Sequence, residues 1–377
     1  MAYKAKNQYN KMEFAGALGD LGTFIPFVVA YISINKIDPA GILLAFGLCE
    51  IFVGLYFKTP IPVQPMKAIG SGAISRAAVM THGTIWGAGL FTAIFWTIMG
   101  FTGAIEWLNK ISPKPMIKGI LLGLGMSFIS QGLEMIIVQP IIAIIGIMII
   151  FLFINSTRFP AMLLVLIYGF IVAIIQTPDI FAQLSTISIQ PKLPELAVTQ
   201  ISWNEFLMGT LVLGLPQIAL TLGNSVIGTV TTNNELFPDR KTSVKTIALN
   251  LGFMNFLSTF MGGVPLCHGA GGMAAHVRFG AKTGGALVIL GVIVTIIAIF
   301  FSNATTIIFK LFPIPVLGAV LFFAGLELAS SIKDIGNNKS DIYVTLLTAG
   351  IAMWNMGWAF LGGLALFYAM KKNIIKI

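Results

Sequence analysis

Apolar residues in this chain run in long blocks, and Pro, Gly, Asn and Lys mark where one block stops and the next begins. Seven blocks fall near residues 14–34, 40–57, 60–80, 82–108, 113–136, 140–155 and 160–176. After a polar stretch, seven more follow near 204–224, 243–261, 264–280, 283–309, 315–331, 341–355 and 357–371. A membrane-spanning helix needs about 20 mainly apolar residues. The pattern therefore predicts an all-α polytopic membrane protein of fourteen transmembrane segments.

Composition agrees. Of the 377 residues, 56% are hydrophobic and 10% charged, with a mean hydropathy of +0.91, against about 25% charged in a soluble domain. Fourteen spans would occupy roughly 280 residues, which leaves no room for a soluble domain. The 40 glycines and 17 prolines are tolerated in membrane helices where a break is buried in protein, so broken helices are expected. Cys49 and Cys267 form no disulfide framework, and with His82, His268 and His276 they are too few for a structural metal cage. Neither a metal nor a cofactor is expected. The basic, polar N-terminus is followed by no cleavable signal and reads as mature.

Lys and Arg give the orientation, because they favour the cytoplasmic side of a bilayer. With the N-terminus inside, eighteen of the 23 fall on that side, while Lys36, Arg76, Lys192 and Lys310 fall outside and Lys67 lies within a span. This predicts a multi-pass protein of the cell membrane with both termini cytoplasmic. The net charge of +9 then faces anionic lipid. The lipid bilayer is the expected partner, and no soluble surface remains for nucleic acid.

Seven segments per half send the second half into the membrane from the opposite side. The chain then divides into a first repeat, 1–178, an extracellular linker, 179–203, and an inverted second repeat, 204–377. Secondary transporters commonly use such repeats, with substrate near the midplane between corresponding broken helices. The third and tenth blocks are interrupted alike: aligning Pro62 with Pro265 sets Gln64 opposite Cys267 and Ala68–Ala73 opposite Gly271–His276. Each predicts an extended Pro-containing piece leading into a short helix of small residues, the two meeting at the midplane. Pro65 suits a first helical position, which makes Gln64 a candidate N-cap.

Two half-helix N-termini facing each other make an anion site. Its expected donors are the backbone N–H groups of Met66 and Lys67 and of His268, Gly269 and Ala270, with Thr23, Gln64, Gln217 and Cys267 around it. Lys67 either adds a positive charge to the site or only pairs with Asp20 or snorkels; an ionisable residue within a membrane is functional by default. An empty protein is expected to hold Lys67 against Asp20, so that an arriving anion frees Asp20 to take a proton. Asp20 is thus a candidate coupling residue. His268 is either a ligand or a hydrogen-bonded packing residue, and Thr23 and Gln217 either donate to an anion or bond between helices. Glu50, Glu134 and Glu327 have roles left open among pairing, proton transfer and hydration. The run His268–Gly272 lacks the GK[ST] of a phosphate loop.

The strings GALGDLGTFIP, PIPVQPMKAI, LPQIALTLGNSV and VPLCHGAGGMAAHVRFGAKTG resemble, in order and spacing, the molybdate transporter family distantly related to the SulP sulfate permeases. The resemblance covers nearly the whole membrane region. It implies the fourteen-helix, seven-plus-seven fold shared with uracil permease. In that fold a core of segments 1–4 and 8–11, built around helices 1, 3, 8 and 10, moves against a gate of segments 5–7 and 12–14. Relatives of this fold often dimerise, which makes a homodimer a candidate assembly. The chain ends soon after its last block, so the cytoplasmic STAS domain of true sulfate permeases is not expected. His276, Val277 and Lys282 stand where the family pattern has Gln, Tyr and Arg, a departure at the cytoplasmic end of the match.

The function this implies is secondary active uptake of a tetrahedral oxyanion, molybdate first, by alternating access. Sulfate and tungstate share its charge and shape, and no residue type here separates them. A passive anion channel would share the site but not concentrate the ion. An intramembrane aspartyl protease would need paired aspartates, and Asp20 has no second mid-span aspartate to work with. No enzymatic activity is expected.

Overall fold

The computed structural model describes residues 6–375 apart from 157, 186, 188, 190, 195, 336 and 337. The outermost parts of the two expected repeats, 1–5 and 376–377, lie outside the described residues. Helix α1 (Lys11–Ala17) starts where the Asn10 side chain accepts the N–H groups of Met12 and Glu13 at 2.9 and 3.1 Å, satisfying two donors that a helix start leaves free. It turns by 45° into α2 (Leu21–Ser33). Helix α3 (Pro39–Phe57) is capped by Asp38, with Pro39 in its first turn, where the missing N–H costs nothing.

Pro60, Pro62 and Pro65 then keep the chain out of helix. Residues 58–63 are irregular, Gln64–Pro65 forms a short strand β1, and only Lys67–Ser75 is helical (α4). Helices α5 (His82–Thr102), α6 (Ala104–Ile111), α7 (Lys114–Ile137), α8 (Pro140–Phe153), α9 (Ala161–Gln176) and α10 (Ile180–Ser185) complete the first half. The last of these falls within the stretch expected to be a linker.

The second half opens with one long bent run: α11 (Trp203–Met208), a π-helical turn over Gly209–Gly214, α12 (Leu215–Leu220), a second π stretch over Thr221–Gly228, and α13 (Thr229–Leu236). The two arms differ by 51°. Pro216 lacks the N–H that would bond the Val212 carbonyl, and such π stretches often mark functional sites. The helix continues well past the predicted end at 224. Its polar last turns are held by a loop, with Asn233 donating to the Arg240 carbonyl and Asn234 to the Thr242 carbonyl, each at 2.9 Å.

Helix α14 (Val244–Phe260) leads through Pro265 to strand β2 (Leu266–Cys267) and helix α15 (Ala270–Arg278). Then come α16 (Gly285–Phe300), bent by 98° toward α17 (Thr305–Phe309), and α18 (Ile314–Ala329), α19 (Lys339–Trp354) and α20 (Met356–Lys371). Among the described residues α3, α5 and α7 are each long and apolar enough to cross a membrane, three bent pairs raise the number to six, and four further apolar helices have 10–17 residues. Broken and short helices fall below a full span, so helix length alone does not resolve fourteen crossings.

Two packing groups stand out. Helices α1–α5 and α11–α16 form one group, in which α2 and α14 touch the two strands, while α7–α9 pack with α18–α20; α15 joins the groups by packing on α18 and α7. The most extensive helix pairings are α7 with α18, α3 with α16 and α5 with α14. Glycines set these crossings: a Cβ on Gly125 would lie 2.8 Å from the Gly325 carbonyl oxygen, and one on Gly325 would lie 2.7 Å from that of Gly125. In lipid, such close backbone packing holds helices together, because tails are as apolar as Leu. Ile141, Leu152 and Ile175 on α8 and α9 are more than 70% exposed, as a lipid-facing surface requires. The interior instead buries Asp20, Thr23, Glu50, Gln64, Gln217, Asn224, Asn255 and His268.

Candidate functional site

The strands β1 and β2 cross antiparallel, with Gln64 opposite Cys267 and Pro65 opposite Leu266. The Met66 N–H extends the ladder by donating to the Pro265 carbonyl at 2.8 Å. Each strand is stapled by a side chain from the helix before it. The Val63 N–H donates to Glu50 Oε1 at 3.2 Å, and the Leu266 N–H donates to Asn255 Oδ1 at 2.9 Å. Asn255 also donates to the Leu266 carbonyl at 2.7 Å. Two short pieces of β-structure thereby survive inside a helical protein, because every backbone group there must find a partner away from water.

The N-cap position of α4 is Met66, whose side chain makes no capping bond, so Gln64 is not the N-cap that Pro65 suggested. The cap comes from another helix. Gln217 Oε1 accepts the Ala68 and Ile69 N–H groups at 2.8 and 3.3 Å, while its Nε2 donates to Thr221 at 2.9 Å. At α15 the Ala270 N–H donates to Asn224 Oδ1 at 3.1 Å, and the Ser225 hydroxyl donates to the His268 carbonyl. Met66 and Ala270 therefore have their N–H groups engaged, contrary to the donor set expected from sequence. The N–H groups of Lys67, His268 and Gly269 have no acceptor among the described residues.

The side chains on the other flank are also committed. Asp20 accepts from Gln64 Nε2 at 2.5 Å and from the Thr23 hydroxyl, and Gln64 Nε2 lies 3.1 Å from Thr23 Oγ1. Gln64 and Thr23 thus face Asp20 as donors, and the free Gln64 atom is its acceptor Oε1. Turning the amide over would set oxygen against carboxylate. Glycines make room for this cluster, since a Cβ on Gly272 would lie 2.8 Å from Asp20 Oδ2, and one on Gly269 would collide with Gln64 Oε1.

The His268 ring is hydrogen-bonded at both nitrogens. Its Nδ1 lies 2.8 Å from the Pro62 carbonyl, which can only accept, so that nitrogen carries the proton; Nε2 lies 2.8 Å from the Asn250 side chain. The Cys267 thiol is buried, with a long contact, 3.9 Å, to the Pro65 carbonyl.

Lys67 is the exception. Its Nζ is buried and has no hydrogen-bond or ion-pair partner among the described residues. The expected pairing with Asp20 is not made, because Asp20 is already held by Gln64 and Thr23. The ammonium instead lies over the ring of Phe128, 3.8 Å from its centroid. A cation–π contact is worth about 0.5–2 kcal/mol, against several kcal/mol for withdrawing an ammonium from water. A buried ammonium therefore lies at the start of α4, where the N–H groups of Lys67, His268 and Gly269 are also unaccepted among the described residues.

Asn224, Asn255 and Phe128 were not singled out in the sequence. Asn224 had a legible signal, lying two helical turns after Gln217, whereas Phe128 is one apolar residue in an apolar span.

Comparison with known proteins adds independent information. The family model "Molybdate transporter of MFS superfamily" matches residues 12–128 and 209–328. Molybdate transporter 2 of Arabidopsis thaliana is 32% identical over 410 residues, covering 95% of this chain and 87% of that protein. Molybdate transporter 1 of the same plant is 29% identical, covering 95% and 88%. Among solved structures, the murine Solute Carrier 26 family member A9 anion transporter in its inward-facing state aligns with a TM-score of 0.64 at 15% identity, over 100% of this chain and 70% of that one. The transmembrane domain of the cyanobacterial bicarbonate transporter BicA aligns with a TM-score of 0.58 at 13% identity, over 97% and 100%. At such identities the structures establish a shared fold.

Proposed function

This chain belongs to the molybdate transporter family, and from that premise we propose that it is a secondary active carrier taking up a tetrahedral oxyanion, foremost molybdate, by alternating access. The oxyanion sits between the first turns of α4 and α15. It receives the N–H groups of Lys67, His268 and Gly269 and the ammonium of Lys67, while Gln217 and Asn224 hold the two helix starts in place. The carrying observation is the buried, unpartnered Lys67 Nζ at a helix N-terminus. A divalent anion there gains a whole charge and two helix dipoles at once.

The architecture in this reading is two inverted seven-segment repeats, 1–178 and 204–377, in the cell membrane with both termini cytoplasmic. Two features support it. Under the alignment of Pro62 with Pro265 the strand staples from Glu50 and Asn255 fall at corresponding N–H groups, Val63 and Leu266. The helix pairs α3–α16 and α5–α14 exchange under the same correspondence, and α7–α18 maps onto itself. The group around the strands is then the core, and the group of α7–α9 with α18–α20 is the gate.

Calorimetry with molybdate, tungstate and sulfate on the purified protein tests the substrate, and concentrative uptake into vesicles tests the carrier. Molybdate bound without accumulation against a gradient would make the protein a channel.

A further inference from the structure

Phe128 lies on α7, in the second packing group, and is 1% exposed. Its ring reaches across to both crossing helices. One contact is the Lys67 ammonium on α4, 3.8 Å from the ring centroid. The other is the first turn of α15, where a Cβ added to Gly271 would lie 2.8 Å from Phe128 Cζ. Gly271 is thus a seat for the ring edge, and the ring face is what the Lys67 ammonium contacts, with Asp20 acting on it through space and not as an ion-pair partner.

We infer that Phe128 is a positioning residue, a stand-in for the oxyanion supplied by the opposite packing group: its ring holds Lys67 while the site is empty, and an incoming oxyanion must take Lys67 from the ring to bind. The inference rests on the reading of this site as an oxyanion site. It gives that site a physical link to the gate, because loading the site dissolves a contact between the two packing groups and unloading restores it. The ring competes with the anion for one ammonium, so its electrostatic strength sets affinity: a cation–π contact corresponds to roughly two- to thirtyfold in binding.

The test replaces Phe128 by phenylalanines carrying one, two or three ring fluorines, which drain the negative ring face while nearly keeping its shape, and measures molybdate affinity by calorimetry. Affinity should rise stepwise with fluorination, and the rise should vanish when Lys67 is Met. Phe128→Leu should also bind more tightly than the parent yet transport more slowly, because the link to the gate is gone. A flat or falling series in a protein whose parent binds molybdate would overturn the inference alone. A parent that binds none of molybdate, tungstate and sulfate would overturn the site reading, and the inference with it.

Discussion

Gln217 and Asn224, seven residues apart on one bent helical run, cap opposite crossing helices: Gln217 Oε1 accepts from Ala68 at 2.8 Å, and Asn224 Oδ1 accepts from Ala270 at 3.1 Å. Both amides belong to the same bent run, so a single element sets both half-helix starts. Asn224 lies within the π stretch from Thr221 to Gly228.

Gln217→Glu should preserve the fold and cripple the site. A carboxylate keeps the acceptor that Ala68 and Ile69 need but adds a negative charge beside Lys67, where it competes with the substrate. Molybdate affinity should fall at least about tenfold, equivalent to about 1.4 kcal/mol, with little change in melting temperature. Unchanged affinity would place the anion away from α4.

Asn255→Ala should act on stability. It leaves the buried Leu266 N–H without its acceptor and strips the Leu266 carbonyl of a donor. Leaving a buried group unsatisfied costs about 1–3 kcal/mol, read as a lowered unfolding midpoint in detergent. A midpoint equal to the parent's would mean that β2 is held by other means.

Asp20→Asn should bind molybdate at least as tightly as the parent. Asp20 is engaged by Gln64 and Thr23 rather than by Lys67, so its removal frees no ammonium, and it deletes a negative charge near an anion site. A loss of binding beyond about tenfold would mean that the Asp20–Gln64 contact itself shapes the site.

The ion pair of Lys118 with Glu235, 2.7 Å across α7 and α13, leaves Lys118 fully buried and Glu235 38% exposed. Glu235→Ala strands a buried ammonium, which costs toward the lower end of about 3–5 kcal/mol given the solvent at the carboxylate. Thermal unfolding should show the loss, and the exchanged pair Lys118→Glu with Glu235→Lys should recover most of it. No recovery would mean that packing of the lysine stem, rather than charge, holds this contact.

The broken third and tenth blocks were legible because proline forbids helix locally, so the extended entries at Pro62 and Pro265 and the facing half-helices could be read from the string itself. What filled the helix starts could not. Pro65 made Gln64 look like a cap, but the hydrogen bonds run to Asp20 and the cap arrives from Gln217, a pairing 149 positions away that no local rule contains. The Lys67–Asp20 pairing failed for the same reason: charge type suggested it, while the third partner, Gln64, had already claimed the carboxylate. Phe128 carried no signal, since an aromatic residue in an apolar span takes a role only when the fold sets a cation over its ring.

Calorimetric titration of molybdate into the Lys67→Met protein tests the central claim most directly. Methionine keeps the apolar stem over Phe128 and removes only the charge, so folding should persist. The parent should bind molybdate, and the variant should lose roughly ten- to 150-fold in affinity, the equivalent of a charge-assisted hydrogen bond of about 1.5–3 kcal/mol. A variant that folds and binds molybdate as tightly as the parent would contradict the claim that the lone ammonium of Lys67 receives the substrate.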